Sequence, residues 1–305
     1  MKQQISIRQH ELAQFINQHT EGDGIQKTAI PSLVFLRQSE ISEPSYRIFN
    51  PALCIIVQGE KEVLLAKERF TYSPTDYLVT TVDLPATGQV TEATSGIPYL
   101  ALKLEFTPSQ IAEVLRDTRM KISATDSSKR AMFVSHLELP LLDAVTRLAN
   151  LLDSPHDIPV LAPLFIKEIL YRVLQGPHGD TLEQIAIEGS RSCQIKDVIK
   201  HIMSHYDKPF RIEELAKIAN ISVSSLYRRF NDVTAMSPIQ FQKQLRLRNA
   251  RSMLLSTSLD AGDVAFRVGY ESPSQFSREY SRMFGLPPIE DIKRIRNRWS
   301  KEINA

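Results

Sequence analysis

Cysteine is scarce in this chain, and long apolar runs are missing. The 305 residues contain only Cys54 and Cys193, which excludes a disulfide framework, and no CxxC or Cys/His array indicates structural zinc. No apolar stretch approaches the roughly 20 residues needed to cross a bilayer, and residues 1–20 have no apolar core of the signal-peptide kind. We therefore expect a soluble, cytoplasmic protein with no membrane partner.

Basic charge is concentrated in the C-terminal part of the chain. Residues 191–305 carry 20 Lys and Arg against 12 Asp and Glu, a net charge of +8, whereas residues 1–190 carry 17 against 23, a net charge of −6. Clustered Lys and Arg gain affinity for phosphates by releasing counterions. The asymmetry therefore indicates a polyanionic partner for the C-terminal part.

The hydrophobic pattern changes twice along the chain. Residues 1 to about 20 suit a short amphipathic helix, and residues 33–106 form short β-rich runs separated by Pro and Gly, which are typical of an antiparallel sandwich or barrel. Helical patterns follow from Pro108, and everything after about residue 190 is helical. The pattern predicts an α+β multidomain protein with an N-terminal β-sandwich or β-barrel and a C-terminal all-α domain.

The C-terminal part contains an internal repeat. "SVSSLYRRF" (222–230) matches "SPSQFSREY" (272–280) at an offset of 50, and "EELAKIANI" (213–221) matches "GDVAFRVGY" (262–270) at an offset of 49. Each copy predicts a short helix, a tight turn at Asn220 or Gly269 and a capped second helix, because Asn and Gly best accept a left-handed conformation. This is the pattern of a helix-turn-helix, present here twice.

The second helix of the second copy has a well-formed beginning. Ser272 offers a hydroxyl for the N-cap, and Pro273 stands where a missing N–H costs nothing. Phe276, Tyr280 and Phe284 recur every fourth position and predict one buried stripe. The opposite face is small, polar and basic.

These motifs resemble those of a known family. Residues from about 193 to 298 resemble the DNA-binding domain of the AraC/XylS family of bacterial transcription regulators, most clearly in "IEELAKIANISVSSLYRRF" and "VGYESPSQFSREYSRMFGLPP". "PALCIIVQGEK", "DYLVTTVDLPATGQV" and "LAPLFIKEILYRVLQGP" resemble the AraC-type N-terminal domain. The resemblance implies a cupin-like barrel for effector binding or dimerisation (1–135), a helical linker and possible dimer interface (136–190), and a double helix-turn-helix DNA-binding domain (191–305). The sequence departs from the family at Asp260–Gly262, a weaker helix start.

In the family a long helix, here about 238–255, separates the two recognition helices, so one domain should read two successive major-groove segments about 34 Å apart. Leu247, Ala250 and Leu254 fit the buried stripe of that helix. Arg228 and Arg278 suit bidentate pairing with guanine, and Gln275 suits adenine. By position, the predicted DNA-reading residues are Ser224, Tyr227, Arg228, Ser274, Gln275, Ser277 and Arg278.

Further basic residues are better suited to the DNA backbone than to bases. Phosphate contacts give affinity without sequence choice. The candidates for phosphate contact are Arg246, Arg251, Lys293 and Arg294; these residues, like Arg248, Arg296 and Arg298, suit either phosphate contact or solvated charge.

The β region lacks the usual metal ligands of cupin enzymes. None of the seven histidines falls between residues 20 and 135, so we predict no metal, no cofactor and no enzymatic activity. His201 and His205 share a helix face, but without a third ligand they are better interpreted as a solvated pair. Cys54 lies in the strand "LCIIVQG", where it is either plain core or a thiol that senses an electrophile, which requires access and a lowered pKa.

Two further helices precede the DNA-binding domain. Leu141, Val145, Leu148 and Leu152 repeat at helical spacing and fit either a packed linker or a dimer seam. We predict core with a partial homodimer interface.

The sequence thus predicts a sequence-specific, effector-responsive transcription regulator, an activator by family resemblance. Its partners would be double-stranded DNA, RNA polymerase if it activates, and an unknown small-molecule effector. Two alternatives are an enzyme built on the barrel, against which the missing histidines argue, and an architectural nucleic-acid binder, for which broad basic surface and intercalating wedges would be expected.

Overall fold

The computed structural model describes residues 2–118, 130–187 and 191–303. The chain forms two compact units, residues 1–196 with 231–235, and residues 197–230 with 236–305. The first unit contains all the described β-strands, and the second is helical. The predicted α+β class, with a β domain followed by an all-α domain, is confirmed.

Two antiparallel sheets form the β part of the first unit. The six-stranded sheet has the order β1-β2-β9-β4-β7-β10, and the four-stranded sheet has the order β3-β8-β5-β6. The strands are β1 (Gly24–Lys27), β2 (Leu33–Gln38), β3 (Ser45–Phe49), β4 (Ala52–Gln58), β5 (Glu60–Leu65), β6 (Glu68–Tyr72), β7 (Asp76–Thr80), β8 (Leu84–Glu92), β9 (Tyr99–Glu105) and β10 (Met132–His136). The two sheets enclose an interior lined by alternate residues of each strand.

Helix α1 (Lys2–Gln18) covers one face of the larger sheet. Leu12 and Ile16 are fully buried there, and Phe15 meets Phe35 of β2 edge-to-face at 6.5 Å. The same strands turn their other face inward, because successive side chains of a strand alternate between faces. The larger sheet is therefore covered on one side by a helix and lines the enclosed interior on the other.

Four more helices belong to the first unit. They are α2 (Pro108–Thr118), α3 (Leu139–Asn150), α4 (Ile158–Leu174) and the short α5 (Gly179–Glu183). Helix α3 packs between α1 and α4, and Leu141, Val145 and Leu148 are buried in that contact. The predicted linker therefore packs within the same unit as the sheets, and these three residues of the predicted apolar stripe belong to the core. The large apolar residues that α4 leaves exposed are Val160, Leu164 and Tyr171.

The second unit is built around one long helix. The helices are α6 (Arg191–Ser204), α7 (Ile212–Ile218), α8 (Val223–Thr234), α9 (Pro238–Ser256), α10 (Ala261–Arg267), α11 (Pro273–Phe284) and α12 (Pro288–Ile303). Leu247, Ala250 and Leu254 of α9 are buried, as predicted, and Phe241 of α9 meets Phe230 of α8 edge-to-face at 5.5 Å. Helix α9 also contacts α10, α11 and α12. It is the central element of the unit.

None of the helices in the described segments is both long enough and apolar enough to cross a bilayer.

Candidate nucleic-acid interface and barrel cavity

The two helix-turn-helix copies have the turns that the sequence predicts. Asn220 and Gly269 both adopt positive φ, at 52° and 91°. In each turn the residue that follows donates its N–H to an alanine carbonyl five residues back, Ile221 to Ala216 at 3.0 Å and Tyr270 to Ala265 at 2.9 Å. The left-handed residue thus ends the first helix and redirects the chain into the second.

The second helix of each copy begins at a serine cap. Ser222 Oγ accepts from the Ser225 N–H at 3.3 Å, and Ser272 Oγ accepts from the Gln275 N–H, also at 3.3 Å. The first helix of the second copy is capped as well, since Asp260 Oδ1 accepts from the Asp263 N–H at 2.7 Å. The expectation of a weak start at Asp260 was therefore wrong, because the carboxylate satisfies an otherwise free N–H.

The predicted reading face of α8 is exposed. Ser224, Tyr227 and Arg228 all reach solvent, while Leu226 and Phe230 on the opposite face are fully buried. The Arg228 guanidinium forms no hydrogen bond or ion pair with any residue that the structure describes. All its donors remain available for an external acceptor.

Helix α11 presents the equivalent face. Ser274, Gln275 and Arg278 are exposed and Ser277 is partly buried, whereas Phe276 and Tyr280 are fully buried. The Arg278 guanidinium, 50 positions after Arg228, likewise has no partner among the described residues. The predicted buried stripe is confirmed, and the repeat places a free arginine at the same position of each helix.

Gln275 differs from the other candidates because it has an internal partner. Glu279, one turn further along α11, accepts hydrogen bonds from Gln275, from Lys243 Nζ of α9 at 2.9 Å and from the Tyr270 hydroxyl at 2.8 Å. Desolvation raises the pKa of Glu279, but these donors outweigh it and hold the pKa below its ordinary value. The Glu279 carboxylate therefore both orients the Gln275 amide and joins α11 to α9.

Arg246 of α9 has its donors directed into the protein. Nε donates to the Tyr206 carbonyl at 2.7 Å, Nη1 to the Gly269 carbonyl at 2.7 Å and Nη2 to the Asp207 carbonyl at 3.3 Å. Burial lowers the pKa of Arg246, partly offset by nearby Tyr270 and Asp207. Arg246, which the sequence predicts as a phosphate contact, thus supports the second turn from within the protein, since its guanidinium binds three backbone carbonyls.

Arg251 of α9 is also used internally. Its Nε and Nη2 bind Asp291 Oδ2 and Oδ1 of α12 at 2.7 Å and 2.9 Å, and Asp291 is fully buried. Asp291 Oδ2 also accepts from the Tyr280 hydroxyl of α11 at 2.9 Å. Side chains of α9, α11 and α12 thus meet at the Asp291 carboxylate. The Arg251 guanidinium therefore has its acceptors within the protein.

The basic residues of α12 have different surroundings. Lys293 is exposed and has no partner in the part of the chain that the structure describes, and Arg294 is half-exposed at 3.4 Å from Asp291. Arg296 Nη2 donates to the Leu254 carbonyl at 2.9 Å, at the end of α9. Arg296 therefore satisfies a free carbonyl of a helix C-terminus. The side chain of Arg298 lies outside the described residues.

A cavity of about 90 Å³ lies in the first unit, between the β1–β2 edge of the larger sheet and β3 and β8 of the smaller one. Its charged lining residues are Arg37, Arg47 and Lys61, and the Tyr99 side chain also faces it. Burial raises the pKa values of Tyr99 and of its neighbour Tyr72, so both phenols are protonated and can donate at neutral pH.

Cys54 lies close to this interior but is not poised as a sensor. It pairs with Lys103 of β9 and Leu78 of β7 in the larger sheet, and its side chain is partly buried. Burial raises the pKa of the Cys54 thiol, against the opposing influence of Lys61 and Lys103. A sensor thiol needs a lowered pKa, so this direction of shift is the opposite of what the sensor interpretation requires.

The histidine pair of α6 is a local stack. The rings of His201 and His205 lie 4.6 Å apart, and His205 Nδ1 lies 3.0 Å from the His201 carbonyl. Within the described residues, no group of three or more His, Cys, Asp or Glu side chains could hold a metal ion.

Two family models match the chain. Residues 29–181 match the AraC-type transcriptional regulator N-terminus, and residues 215–294 match a helix-turn-helix domain. The first match alone spans half of the chain.

Curated relatives match between about a third and about half of the chain. The lactose operon transcription activator of Staphylococcus xylosus is 23% identical over 150 residues, 49% of this chain and 53% of the relative. The RCS-specific transcriptional activator RclR of Escherichia coli is 33% identical over 99 residues, 32% of this chain and 35% of the relative. The chain thus spans about half or less of the length of these relatives.

A solved structure shares the overall architecture. Unsaturated fatty acid bound wild-type ToxT from Vibrio cholerae covers 86% of this chain and 93% of its own, at 12% identity and a TM-score of 0.51. At this identity the likeness concerns the fold alone. The two family models show that the chain belongs to the AraC-type family of DNA-binding transcriptional regulators.

Proposed function

We propose that the second unit reads two successive major-groove segments of one operator, with α8 and α11 as the recognition helices. The observation that carries the proposal is the pair Arg228 and Arg278. Each stands at the same position of a capped helix, exposed and without an internal partner among the described residues. A free guanidinium matches guanine O6 and N7 with two parallel hydrogen bonds.

The remaining face residues have supporting roles in this proposal. Ser224, Ser274 and Ser277 are short donors that let the helix approach base edges, and Tyr227 offers a ring and a hydroxyl. Gln275 reads adenine in the orientation that Glu279 gives its amide. Among the basic residues of α12, Lys293 and Arg294 contact phosphates.

We further propose that the first unit is an effector-binding domain that controls the DNA-binding unit. Its cavity supports this, as does the fold shared with ToxT, whose structure was solved with an unsaturated fatty acid. Several relatives carry names of activators, which supports activation and hence contact with RNA polymerase. The family consists of regulators rather than enzymes, and we propose no catalytic activity here.

We also propose that the protein forms a homodimer, through a surface other than the apolar stripe of α3 (Leu141, Val145 and Leu148). That stripe is largely buried, whereas Val160, Leu164 and Tyr171 of α4 form an exposed apolar row. Apolar rows of this kind are typical of helix-mediated association.

The test is selection of bound sequences from a random duplex library with the whole protein. We expect a motif with two segments about 34 Å apart, and each of Arg228→Ala and Arg278→Ala should blur one segment at a cost of roughly 1–3 kcal/mol. Arg116→Ala removes one exposed arginine of the first unit and is the matched control. Enrichment of no sequence would contradict specific recognition, and so would a motif that both variants leave intact.

A further inference from the structure

Lys61 is a half-buried cation with no ionic partner among the described residues. It lies on β5 and shares its face with Val63 and Leu65, which are fully buried, so its side chain extends into the interior between the sheets. No described residue hydrogen-bonds or ion-pairs with its ammonium group, which lies 5.7 Å from the centroid of the Phe49 ring in a cation–π contact. Lys61 is half-buried, and a charge that has lost part of its water is stabilised by a paired anion.

The cavity around Lys61 has positive charge and no carboxylate. Its lining includes Arg37, Arg47 and Lys61 but neither Asp nor Glu. Arg37 is neutralised by Asp23 at 2.6 Å, outside the lining, and the nearby Lys103 by Glu105 at 2.6 Å. Lys61 is therefore a cation of this interior that has no anionic partner among the described residues.

The smaller sheet makes room for the ammonium group. Gly88 of β8 lies opposite Val63 of β5, and a Cβ added to Gly88 would stand 3.1 Å from Lys61 Cε and 3.7 Å from Nζ. A side chain here would displace the end of Lys61. Because Gly88 has no side chain, the Lys61 ammonium group has space beside β8.

The other walls suit an organic anion rather than an inorganic one. Leu36, Val90 and Ile25 supply apolar surface, and the buried Tyr99 supplies a phenol on the larger sheet, facing the same cavity as Lys61. Phosphate carries nearly two charges and is usually held by several charged or backbone donors. A carboxylate carries one charge, which a single ammonium group matches.

We propose that Lys61 is the counter-ion for a small organic carboxylate, which is the effector class of the first unit. The inference deepens the proposed effector-binding function and rests on it. The cavity of about 90 Å³ is smaller than the roughly 150 Å³ that admits benzene, so it takes the carboxylate with a short chain. Burial lowers the pKa of Lys61, as do Arg47 and Lys103, against the attraction of Cys54, and a bound anion would relieve that penalty.

The test is calorimetry of the whole protein with acetate, propionate and butyrate, each compared with its neutral amide, with benzoate as a carboxylate too large for the cavity and not expected to bind, and with inorganic phosphate. We expect at least one carboxylate to bind at millimolar concentration and its amide not to bind. Lys61→Met should weaken binding about ten- to hundredfold, because a hydrogen-bonded charge pair is lost. Lys67→Met, at an exposed position of the β5–β6 turn, is the matched control and should bind as the wild type does.

Gly88→Ala gives a second variant that keeps every charge. Its backbone allows alanine, so the sheet should form, but the added methyl should displace the ammonium group and weaken carboxylate binding. Thermal unfolding of all three variants checks that each is folded. Equal carboxylate binding by the wild type and Lys61→Met would overturn the proposal.

Two other outcomes would also overturn it. One is that no carboxylate of the panel binds the wild type, and the other is that only phosphate binds and Lys61→Met abolishes it. The DNA selection separates this inference from the proposed DNA-reading function, because Lys61→Met should select the same motif as the wild type. A carboxylate that binds should change operator affinity in the wild type and not in Lys61→Met.

Discussion

Arg251 of α9 and Asp291 of α12 form a two-point ion pair, Nε to Oδ2 at 2.7 Å and Nη2 to Oδ1 at 2.9 Å, around a fully buried carboxylate. The Tyr280 hydroxyl of the second recognition helix donates to the same carboxylate. The position of α11 relative to α9 thus depends on a residue that touches no DNA in the proposed reading mode.

Replacing the buried carboxylate should destabilise the second unit. Asp291→Ala leaves the Arg251 guanidinium and the Tyr280 hydroxyl without their acceptor, and we expect a loss of about 3–5 kcal/mol in the free energy of unfolding. Urea unfolding followed by circular dichroism measures it. The control is Glu290→Ala at the exposed neighbouring position, which should change stability by less than about 0.5 kcal/mol. Equal changes in the free energy of unfolding for Asp291→Ala and Glu290→Ala would contradict the structural role of Asp291.

Two glycines with nearly the same φ should respond differently to alanine. Gly269 and Gly285 have φ of 91° and 83°, but a Cβ at Gly269 would lie 2.0 Å from the Asp207 carbonyl oxygen, whereas one at Gly285 meets nothing within 4 Å. Both substitutions carry the strain of a left-handed alanine, about 1–2 kcal/mol. Gly269→Ala should cost roughly 1–3 kcal/mol more. Thermal unfolding of both variants is the measurement, and equal losses would mean that the turn has room.

Glu279 should make the second unit sensitive to acid. Its folded-state pKa lies below the ordinary value of 4.5, so its contribution to stability is complete above about pH 4.5 and is lost as the pH falls through the lower folded-state pKa. Glu279→Gln should lose about 1 kcal/mol or more at neutral pH, with the difference from the wild type shrinking in acid. Unfolding measured from pH 7 to pH 3 tests this. Glu213→Gln, an exposed change on α7, should give a pH-independent difference near zero.

Lys293 and Arg228 should differ in how they affect DNA binding. Lys293→Ala should weaken binding to all sequences alike and reduce the slope of log affinity against log salt by about 1, because one phosphate contact is lost. Arg228→Ala should act mainly on sequences with guanine at one position. Binding isotherms on operator and scrambled duplexes at several salt concentrations distinguish the two. Loss of sequence preference in Lys293→Ala would contradict its assignment to phosphate.

Cys54 should be unreactive in the folded protein. Burial raises the pKa of its thiol, and the thiol rather than the thiolate prevails at neutral pH. We expect iodoacetamide to leave Cys54 unmodified at pH 7 and to modify it in urea, with peptide mass spectrometry to locate the label. Rapid modification of Cys54 in the native protein would restore the sensor hypothesis.

Some strands could not be read from local pattern. Local pattern does not indicate β8, because Pro85 and Gly88 are turn residues by composition. Pro85 is tolerated because at that point β8 pairs only with β3, opposite Ile48, and the β5 pairing begins at Thr87. Gly88 is explained by the space that Lys61 needs. Both reasons lie in other strands.

The sequence by itself determined the helical repeat, its turns at Asn220 and Gly269, its serine caps and the exposed arginines Arg228 and Arg278. These depend on neighbours within a few residues, where spacing and residue type suffice. Only the tertiary structure decided which basic residues are free. Arg246 and Arg251 read like Lys293 in the sequence, but their acceptors come from residues 23 to 40 positions away, at Gly269, Tyr206 and Asp291. Likewise, the uncompensated charge of Lys61 emerges only when two sheets enclose it, because burial and pairing are properties of packing, not of local sequence.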